Sequence, residues 1–250
     1  MSGYSKFAWF YDRLTGNVDY DLISLQIDRL VERFDGRKNI LLEIGCGTGS
    51  LCEKMSGLGY DVIGVDASQE MLTEALDKKY ESGSEIQYLC QDMTELDMYG
   101  TIDVTISVLD SINHLADIEA IRKAFERVSL FAFPDGLFIF DVNTVYKHRE
   151  ILGNNSYIYD LDGLFCSWQN EYSSQDNSVE MFLDFFEEQD DGKYERLQES
   201  FKEIALEEAE VDRLLEKTGF DILAKYDGYT DEPVNEKTQR IVYVAKKHDK

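Results

Sequence analysis

The chain has 250 residues, which suits one or at most two domains with a sizeable buried core. Its formal net charge of −25 repels phosphate backbones, so no nucleic-acid partner is expected. It has no apolar run of about 18 residues and no apolar signal core near Met1, so we expect a cytoplasmic protein without membrane contact.

Two amphipathic helices are predicted before the first strand. In FAWFYDRL, the apolar side chains of Phe7, Phe10, Tyr11 and Leu14 share one helical face. The segment DYDLISLQIDRLVERFDG repeats its apolar residues at the same spacing and is expected to end near Gly36.

Short buried strands and helices alternate from residue 37 to about residue 150. The predicted strands are NILLEIG, YDVIGVDAS, EIQYLCQD, IDVTISVLDS and GLFIFDVN, the last preceded by an FPDG turn. The predicted helices are GSLCEKMSGLG, SQEMLTEALDKKYE, capped by Ser68, and DIEAIRKAFERVSLF, with Ile118, Ile121, Phe125 and Val128 facing inward. The alternation predicts an α/β fold of Rossmann-like type, with a mostly parallel sheet covered by helices on both faces.

The pattern changes after about residue 150. Three strand-like segments, GLFCSWQNEYSS, SVEMFLDFFEEQ and KYERLQESFKEIAL, follow one another with turn signals between them. We interpret residues 151–205 as an inserted antiparallel β meander. Residues 206–250 then return to the α/β unit as one helix, EEAEVDRLLEKTGF, and two final strands.

The stretch LLEIGCGTGS places a glycine-rich loop between the first strand and a helix, an arrangement that cradles nucleotide-like ligands. The spacing of Gly45, Gly47 and Gly49 differs from the dinucleotide pattern, and the loop lacks the Lys of a phosphate-binding P-loop. The carboxylate of Glu43 would repel a phosphate and would suit an ammonium group. We therefore expect a nucleoside-like ligand that carries a positive charge and no pyrophosphate.

Acidic residues end the next two predicted strands. Asp66 follows the loop by about twenty residues, where a carboxylate can accept both ribose hydroxyls. Asp92 ends the third strand and suits an adenine amino group, with Ala67 and Met93 packing on the ring. Either aspartate alone is explained by a turn, but the pair below one glycine loop favours a nucleoside site.

Together, LLEIGCGTG, VIGVDAS, CQDM and SVLDSINHL resemble the class I S-adenosylmethionine-dependent methyltransferases over about residues 38–145. The resemblance implies a seven-stranded sheet with an antiparallel last strand, S-adenosyl-L-methionine as cofactor and S-adenosyl-L-homocysteine as product. It implies a methionine site at Glu43, Gly45, Cys46, Gly47 and Gly49, a ribose site at Asp66, an adenine site at Ala67, Asp92 and Met93, and a lining formed by Leu109 and Asp110.

The opening FAWFYDRL…VDY and the later NHL resemble bacterial small-molecule N-methyltransferases, including those that act on amino sugars. This resemblance implies that residues 1–36 form a helical cap over the active site, and that Tyr11 and His114 adjoin the acceptor as catalytic residues. Alternatively, Tyr11 is a core aromatic residue and His114 only contacts the backbone of its loop.

The same resemblance divides the rest of the chain. The core comprises residues 37–150 and 206–250, and the insertion at 151–205 serves as a lid or as a homodimer contact. Four aromatic residues of the insertion either line an acceptor pocket or form the insertion's own core: Trp168, Tyr172, Phe182 and Phe186.

The expected function is methyl transfer to a small polar acceptor, an amine. The alternatives are a protein that binds S-adenosylmethionine or S-adenosylhomocysteine without methylating, and a protein methyltransferase. An N-P-P-Y-like motif, which in this family serves planar amines, is absent after the fourth strand. No metal site is expected, because Cys46, Cys52, Cys90 and Cys166 form no C-x-x-C pair and three lie in core segments.

Overall fold

The computed structural model describes residues 7–248, which contain two β-sheets and the helices that cover them. In chain order the strands are β1 (Ile40–Ile44), β2 (Asp61–Asp66), β3 (Gln87–Cys90), β4 (Ile102–Ser107), β5 (Ala132–Asn143), β6 (Ser156–Leu161), β7 (Leu164–Ser173), β8 (Ser178–Glu188), β9 (Tyr194–Ile204), β10 (Phe220–Asp227) and β11 (Arg240–Lys247). The larger sheet has seven strands in the order β10-β11-β5-β4-β1-β2-β3. Strand β11 is antiparallel to both neighbours and the other pairs are parallel, which confirms the predicted Rossmann-like sheet.

Six α-helices lie within residues 7–248. They are α1 (Phe7–Leu14), α2 (Tyr20–Arg33), α3 (Ser50–Gly57), α4 (Gln69–Ser82), α5 (Ile118–Phe131) and α6 (Glu208–Thr218). Apolar residues of α2, α3 and α4 pack on one face of the large sheet, and those of α5 and α6 pack on the other. Strand β1 is buried on both faces, as its continuous apolar run predicts.

Helix α5 departs from its prediction at one residue. Ile121, Phe125 and Val128 are buried against the sheet, but Ile118 is 44% exposed. Ile118 is the first residue of the helix, directly after the Asp117 cap, and it lies beyond the edge of the apolar contact. The predicted cap of α4 is confirmed, since the Ser68 side chain accepts a hydrogen bond from the Met71 amide.

The predicted FPDG turn lies inside β5 and does not precede it. Ile102 of β4 pairs with Ala132, and two residues later Val104 pairs with Leu137, so the extra residues of β5 form a bulge. Asp135 adopts a left-handed φ of +64° at this bulge. The turn signal is therefore real, but the chain stays within the sheet.

The inserted antiparallel sheet has four strands, β6-β7-β8-β9, where the sequence predicted three. Strand β6 was not predicted because it has no fully buried face. Its residues alternate between exposed and half-buried. A π-helical turn, Lys147–Leu152, connects β5 to this sheet. Helix α1 packs on the sheet, with Phe10 stacked 5.3 Å from Phe185.

The four aromatic residues predicted for the insertion separate by face. Trp168 packs against two neighbouring tyrosine rings, and Tyr172 joins the same cluster around α1. Phe182 is 36% exposed on the opposite face, and Phe186 contacts the ring of Phe165. Trp168 and Tyr172 therefore belong to the insertion's own core.

Candidate active site

The ends of β1, β2, β4 and β5 meet at one edge of the large sheet. The strand order reverses between β1 and β4, and open α/β sheets bind ligands at such a point, outside the carboxyl ends of the strands. The β1–α3 loop and the β4–α5 connection flank this point. Helix α1 and the inserted sheet pack together on the same side.

The glycine-rich loop is left-handed at all three glycines, with φ of 71° at Gly45, 53° at Gly47 and 74° at Gly49. A Cβ atom at Gly45 would lie 2.6 Å from the Cβ of Ser111, and one at Gly49 would collide with the Tyr88 ring. At Gly47 it would meet no protein atom within 4 Å. The protein itself thus excludes side chains at two positions, and Gly47 borders open space.

The loop borders a narrow cavity that β1, β4, α3 and the N-terminal helices enclose. The residues around it are Tyr11, Tyr20, Glu43, Gly45, Cys46, Gly47, Thr48, Ser50, Leu51, Val108, Leu109 and Ser111. The structure brings together six of the predicted site residues here. It also adds Tyr20, Thr48, Ser50 and Ser111, which sequence analysis did not select.

Glu43 lies under this cavity and is 2% exposed. Burial raises the pKa of its carboxyl to about 8, and the nearby charge of Asp66 acts in the same direction. The thiol of Cys52 donates to Oε2 at 2.9 Å, which partly offsets that effect. A cationic ligand group near Glu43 would favour its ionised form.

Asp66 organises the backbone where β1 and β2 end. Its two carboxylate oxygens accept from the amides of Gly47 and Ser68, each at 2.8 Å. Burial raises the pKa of Asp66, whereas these amide hydrogen bonds lower it. A carboxylate has about four acceptor positions, so Asp66 retains capacity for a ligand hydroxyl.

The residues predicted to surround an adenine lie at the outer edge of the site. Asp92 is exposed and caps the turn Met93–Glu95, accepting from the Thr94 amide and hydroxyl at 2.8 Å. Ala67 is exposed at the end of β2. The Met93 side chain reaches the glycine loop, where a Cβ on Gly45 would lie 3.4 Å from its Cε.

The loop after β4 is strained and is held by a buried carboxylate. Leu109 and Asp110 have φ of 53° and 62°, in the left-handed region that non-glycine residues avoid. Both of their amides donate to Asp141, at 2.8 Å, and Asp141 is fully buried at the end of β5. The Arg240 guanidinium pairs with both Asp141 and Asp110, and Tyr229 donates its hydroxyl to Asp141.

The charge of this cluster is fixed by its contacts. Burial alone would raise the pKa of Asp110, but the neighbouring positive charges, those of Arg240 and Lys147 first among them, outweigh burial and lower it. The pKa of Lys147 is lowered by burial and by the neighbouring charge of Arg240. Asp110 is therefore a carboxylate at neutral pH.

Helix α1 is joined to the glycine loop by a polar contact network. Asp12 accepts from the Thr48 hydroxyl at 2.6 Å and pairs with the Lys78 ammonium of α4 at 2.5 Å. Lys78 also donates to the hydroxyls of Thr48 and Ser50, at 2.9 and 2.7 Å. These contacts hold α1 directly beside the loop.

Tyr11 points from α1 toward the acidic residues of the site. Burial raises its pKa well above the ordinary value, with further contributions from Tyr20, Asp110, Asp12 and Asp66. The group is thus a neutral phenol, which donates or accepts a hydrogen bond but does not act as a phenolate base. Its ring also packs edge-on against Phe7, at 5.6 Å.

His114 ends the short 3-10 turn Ser111–His114, which Asn113 anchors. The Asn113 side chain, 2% exposed, donates to the carbonyls of Asn143 and Ile204 and accepts from the Asn143 amide. His114 lies 3.6 Å from Glu203 of β9, measured from Nε2 to Oε1, and its side chain is 33% exposed. One ligand atom each of Asp110, His114 and Glu203 lies within 4.8 Å of the others.

Comparison with known proteins identifies the family. A family model described as a methyltransferase domain matches residues 41–136. A candidate methyltransferase of Geobacillus sp. (strain WCH70) is 33% identical over 246 residues, covering 98% of this chain and 99% of that protein. The crystal structure of an S-adenosylmethionine-dependent methyltransferase from Clostridium acetobutylicum is 34% identical, with a TM-score of 0.89 over 98% of this chain and 99% of that one. The chain belongs to the S-adenosylmethionine-dependent methyltransferases.

A more distant solved structure shares the fold. It is an S-adenosylmethionine-bound amino pentose methyltransferase from Micromonospora echinaspora, 16% identical, with a TM-score of 0.75 over 96% of each chain. The family establishes S-adenosyl-L-methionine as the cofactor of this methyltransferase. The cavity fits that group: a side chain at Gly47 would fill its space, and the buried Glu43 suits a cationic ligand.

Several polar residues of the candidate site were not predicted from the sequence. Asp141 lies two residues before the end of β5, near where Asp66 ends β2, so an acidic residue near a strand end is the signal that could have identified it. Arg240, Glu203 and Lys147 carried no comparable signal, because the tertiary fold alone brings their elements to this edge. No membrane-spanning helix is found among residues 7–248, since none is both long and apolar enough.

Proposed function

We propose that this methyltransferase transfers the S-adenosyl-L-methionine methyl group to the nitrogen of a small polar amine. The observation that carries the proposal is the group of polar side chains beside the glycine loop: Tyr11, Asp110, His114 and Glu203. Two of the four carry carboxyl groups, whose oxygens can accept hydrogen bonds from an ammonium-bearing acceptor.

On the donor side, Glu43 and the loop at Gly45, Cys46, Gly47 and Gly49 would hold the methionine end. Asp66 would hold the ribose, while Ala67, Asp92 and Met93 would surround the adenine. Leu109 and Asp110 complete the lining. The hydrogen bond from the Gly47 amide to Asp66 supports this arrangement, because it ties the proposed ribose and methionine sites to one another.

The reaction is an in-line displacement at the sulfonium methyl, which the bound cofactor supplies. The protein must hold the acceptor nitrogen about 3–3.5 Å from that carbon with its lone pair aimed at it. An ammonium must first lose a proton, and His114, whose side chain is 33% exposed, would receive it. Tyr11, kept neutral, would orient the acceptor through its hydroxyl.

The wider family supports an amine. One solved structure that shares this fold is described as an amino pentose methyltransferase, so its fold is compatible with an amino-sugar acceptor. Its identity of 16% carries the fold and no residue roles. The chain's net charge of −25 also favours a cationic acceptor over an anionic one.

Methyl-labelled S-adenosylmethionine tests the proposal against a panel of small amines and amino sugars, small hydroxyl compounds and a basic peptide. We expect label in amines. Label only in hydroxyl compounds would refute nitrogen transfer, and label only in the peptide would favour a protein methyltransferase. His114→Gln should lose turnover and keep its S-adenosylhomocysteine affinity, whereas the control His248→Gln, at the far end of β11, should keep both.

The donor assignments are tested separately by calorimetry with S-adenosylhomocysteine. Glu43→Ala and Asp66→Ala should each weaken binding about tenfold or more, because each removes a carboxyl group that accepts hydrogen bonds from the ligand. Unchanged affinity in both variants would overturn the proposed methionine and ribose sites.

We further propose that residues 151–205 form a lid whose outer face makes a homodimer contact. Ile158 is 68% exposed and Phe182 is 36% exposed on this sheet. Sedimentation velocity of the whole protein should reveal a dimer that Ile158→Glu dissociates. A wild-type protein that sediments as a monomer at micromolar concentration would contradict the dimer contact.

A further inference from the structure

Two of the three histidines of the chain approach one buried carboxyl group at the active-site edge. Glu203, 3% exposed, lies near the end of β9 in the inserted sheet. Its Oε2 lies 3.2 Å from Nε2 of His148, and its Oε1 lies 3.6 Å from Nε2 of His114. No pattern in the sequence predicts a role for Glu203 or His148.

The hydrogen-bond roles around Oε2 follow from groups that can only donate or only accept. The Lys147 ammonium can only donate, and it reaches Oδ1 of Asn143 at 2.8 Å. The Asn143 amide nitrogen therefore faces Glu203, and it donates to Oε2 at 2.9 Å. The orientation of this amide is fixed by the lysine.

The tautomer of His148 is fixed in the same way. Its Nδ1 lies 3.0 Å from the Asn177 carbonyl, which can only accept, so Nδ1 carries a hydrogen. A second hydrogen must lie between Nε2 of His148 and Oε2 of Glu203, whichever atom carries it. Oε2 of Glu203 therefore shares hydrogen bonds with both Asn143 and His148. Oε1 carries no hydrogen, so it remains an acceptor.

The acceptor Oε1 faces His114. If Nε2 of His114 lacked a hydrogen, two lone pairs would oppose each other in a site closed to water on the Glu203 side. A hydrogen on Nε2 resolves this conflict, and contacts of this length in ligand-free enzymes commonly shorten in the complex. The other ring nitrogen, Nδ1, is then unprotonated and able to accept a proton.

We propose that Glu203 is a positioning residue that fixes His114 as the Nε2–H tautomer, leaving Nδ1 as the proton acceptor for the methyl acceptor's ammonium. The inserted sheet thus contributes a functional group to the active site in addition to covering it. The proton leaves the acceptor nitrogen for Nδ1, and the imidazolium that forms is stabilised by Oε1 of Glu203 and by the Asp110 carboxylate. This inference deepens the proposed function and rests on it.

The charges around His114 fit a proton acceptor better than a cation site. The carboxyl groups of Asp110, after β4, and of Glu203, on β9, lie close to the His114 ring. The Arg240 guanidinium already pairs with Asp110, and the Lys147 ammonium lies beside it. A bound metal ion would have to displace these resident positive charges.

The test uses the full-length protein without donor or acceptor, labelled with ¹⁵N at histidine. Long-range ¹H–¹⁵N spectra distinguish the two neutral tautomers, and His114→Gln and His248→Gln assign the three rings. We expect neutral wild-type His114 to be the Nε2–H tautomer. A wild-type Nδ1–H tautomer would overturn the proposal without recourse to any variant of Glu203.

Variants then connect the tautomer to Glu203. Glu203→Gln should shift the His114 ring nitrogens toward a tautomer mixture, and Glu203→Asp should restore the wild-type pattern in part. Glu199→Gln, the same change on the same face of β9, is the matched control and should leave the ring unchanged. Identical His114 signals in folded Glu203→Gln and wild type would refute the role of Glu203.

Kinetics with any acceptor found in the panel supply a second readout. Glu203→Gln should lower kcat about tenfold or more while the S-adenosylhomocysteine Kd stays within about twofold. A raised KM with unchanged kcat would indicate acceptor binding and contradict proton acceptance. If every acceptor in the panel fails, the proposed function falls, and the tautomer measurement still decides the Glu203–His114 relationship.

Discussion

At the scale of single residues, this site depends on the glycines of its loop and on the protonation of the carboxyl group beneath them. Gly47 leaves open space in the cavity, whereas Gly45 and Gly49 avoid collisions with Ser111 and Tyr88. Glu43, buried beneath the loop, has a pKa raised to about 8. Three glycines of one motif thus serve different physical needs.

The difference between the glycines predicts different defects. Gly47→Ala should keep the fold and weaken S-adenosylhomocysteine binding about tenfold, because the new methyl group occupies ligand space. Gly49→Ala should instead lower the free energy of unfolding by about 1–3 kcal/mol through overpacking on Tyr88. Calorimetry and urea unfolding measure the two effects.

Gly59→Ala is the control, since Gly59 has a φ of 94° and a Cβ there would meet open solvent away from the loop. It reproduces the backbone strain and should leave cofactor affinity unchanged. Equal losses of affinity in the Gly47 and Gly59 variants would show that strain, and not ligand space, matters at Gly47.

The raised pKa of Glu43 predicts a pH dependence of stability. In the unfolded chain its carboxyl ionises near the ordinary value of 4.5, and in the folded protein near 8. Between these values the folded state binds more protons, so its stability falls as pH rises, by up to about 1.4 kcal/mol per pH unit from this group.

Urea unfolding at pH 5, 6 and 7 should therefore show a decline in wild type that Glu43→Gln reduces. Glu81→Gln, which alters an exposed carboxyl on α4, should follow the wild-type decline. Parallel curves for wild type and Glu43→Gln would mean that Glu43 is already ionised in the folded protein.

At the scale of elements, the loop after β4 shows how one strand constrains another. Leu109 and Asp110 hold left-handed conformations because their amides bind Asp141 at the end of the adjacent strand β5. Arg240 of β11 balances the buried charge. Three strands therefore determine the position of one loop of the proposed cofactor site.

Asp141→Asn should lower the free energy of unfolding by about 3 kcal/mol, because it leaves Arg240 without one of its two buried partners. Tyr229→Phe removes only one hydroxyl contact to Asp141 and should cost about 1 kcal/mol. Urea unfolding of both variants provides the comparison. A loss for Asp141→Asn no larger than that for Tyr229→Phe would show that the charge of Asp141 contributes little.

At the scale of the whole molecule, charge repulsion is the dominant long-range interaction. The chain has 50 acidic residues against 25 basic ones, so its surface repels itself at low ionic strength. Ion pairs such as Asp12–Lys78 oppose this repulsion locally. Screening by salt weakens both interactions.

Because acidic residues outnumber basic ones, the net effect of salt should be stabilising. Raising NaCl from about 20 mM to about 300 mM shortens the screening length and should raise Tm by about 2–4 °C, equivalent to about 1 kcal/mol. Differential scanning fluorimetry of the cofactor-free protein measures this shift. A fall in Tm with salt would mean that local ion pairs outweigh the net repulsion.

The succession of strands and helices along the chain, and the class of sheet they form, were determined by the sequence itself. Nearly continuous apolar runs such as residues 40–44 indicate buried strands, and the helical spacing of apolar residues predicted α2 and α5. The glycine loop and Asp66 at the end of β2 were also predicted from the sequence, because local backbone conformation and position in the chain specify them.

Tertiary structure alone decided how distant elements complete the site. Glu203 of the inserted sheet meets His114, and Arg240 meets Asp110, across 89 and 130 positions of sequence respectively. No local pattern encodes such contacts, since each residue on its own reads as a solvated charge. Only the tertiary fold, which places β11 beside β5 in the sheet and β9 near its carboxyl edge, brings these charges together and shields them from water.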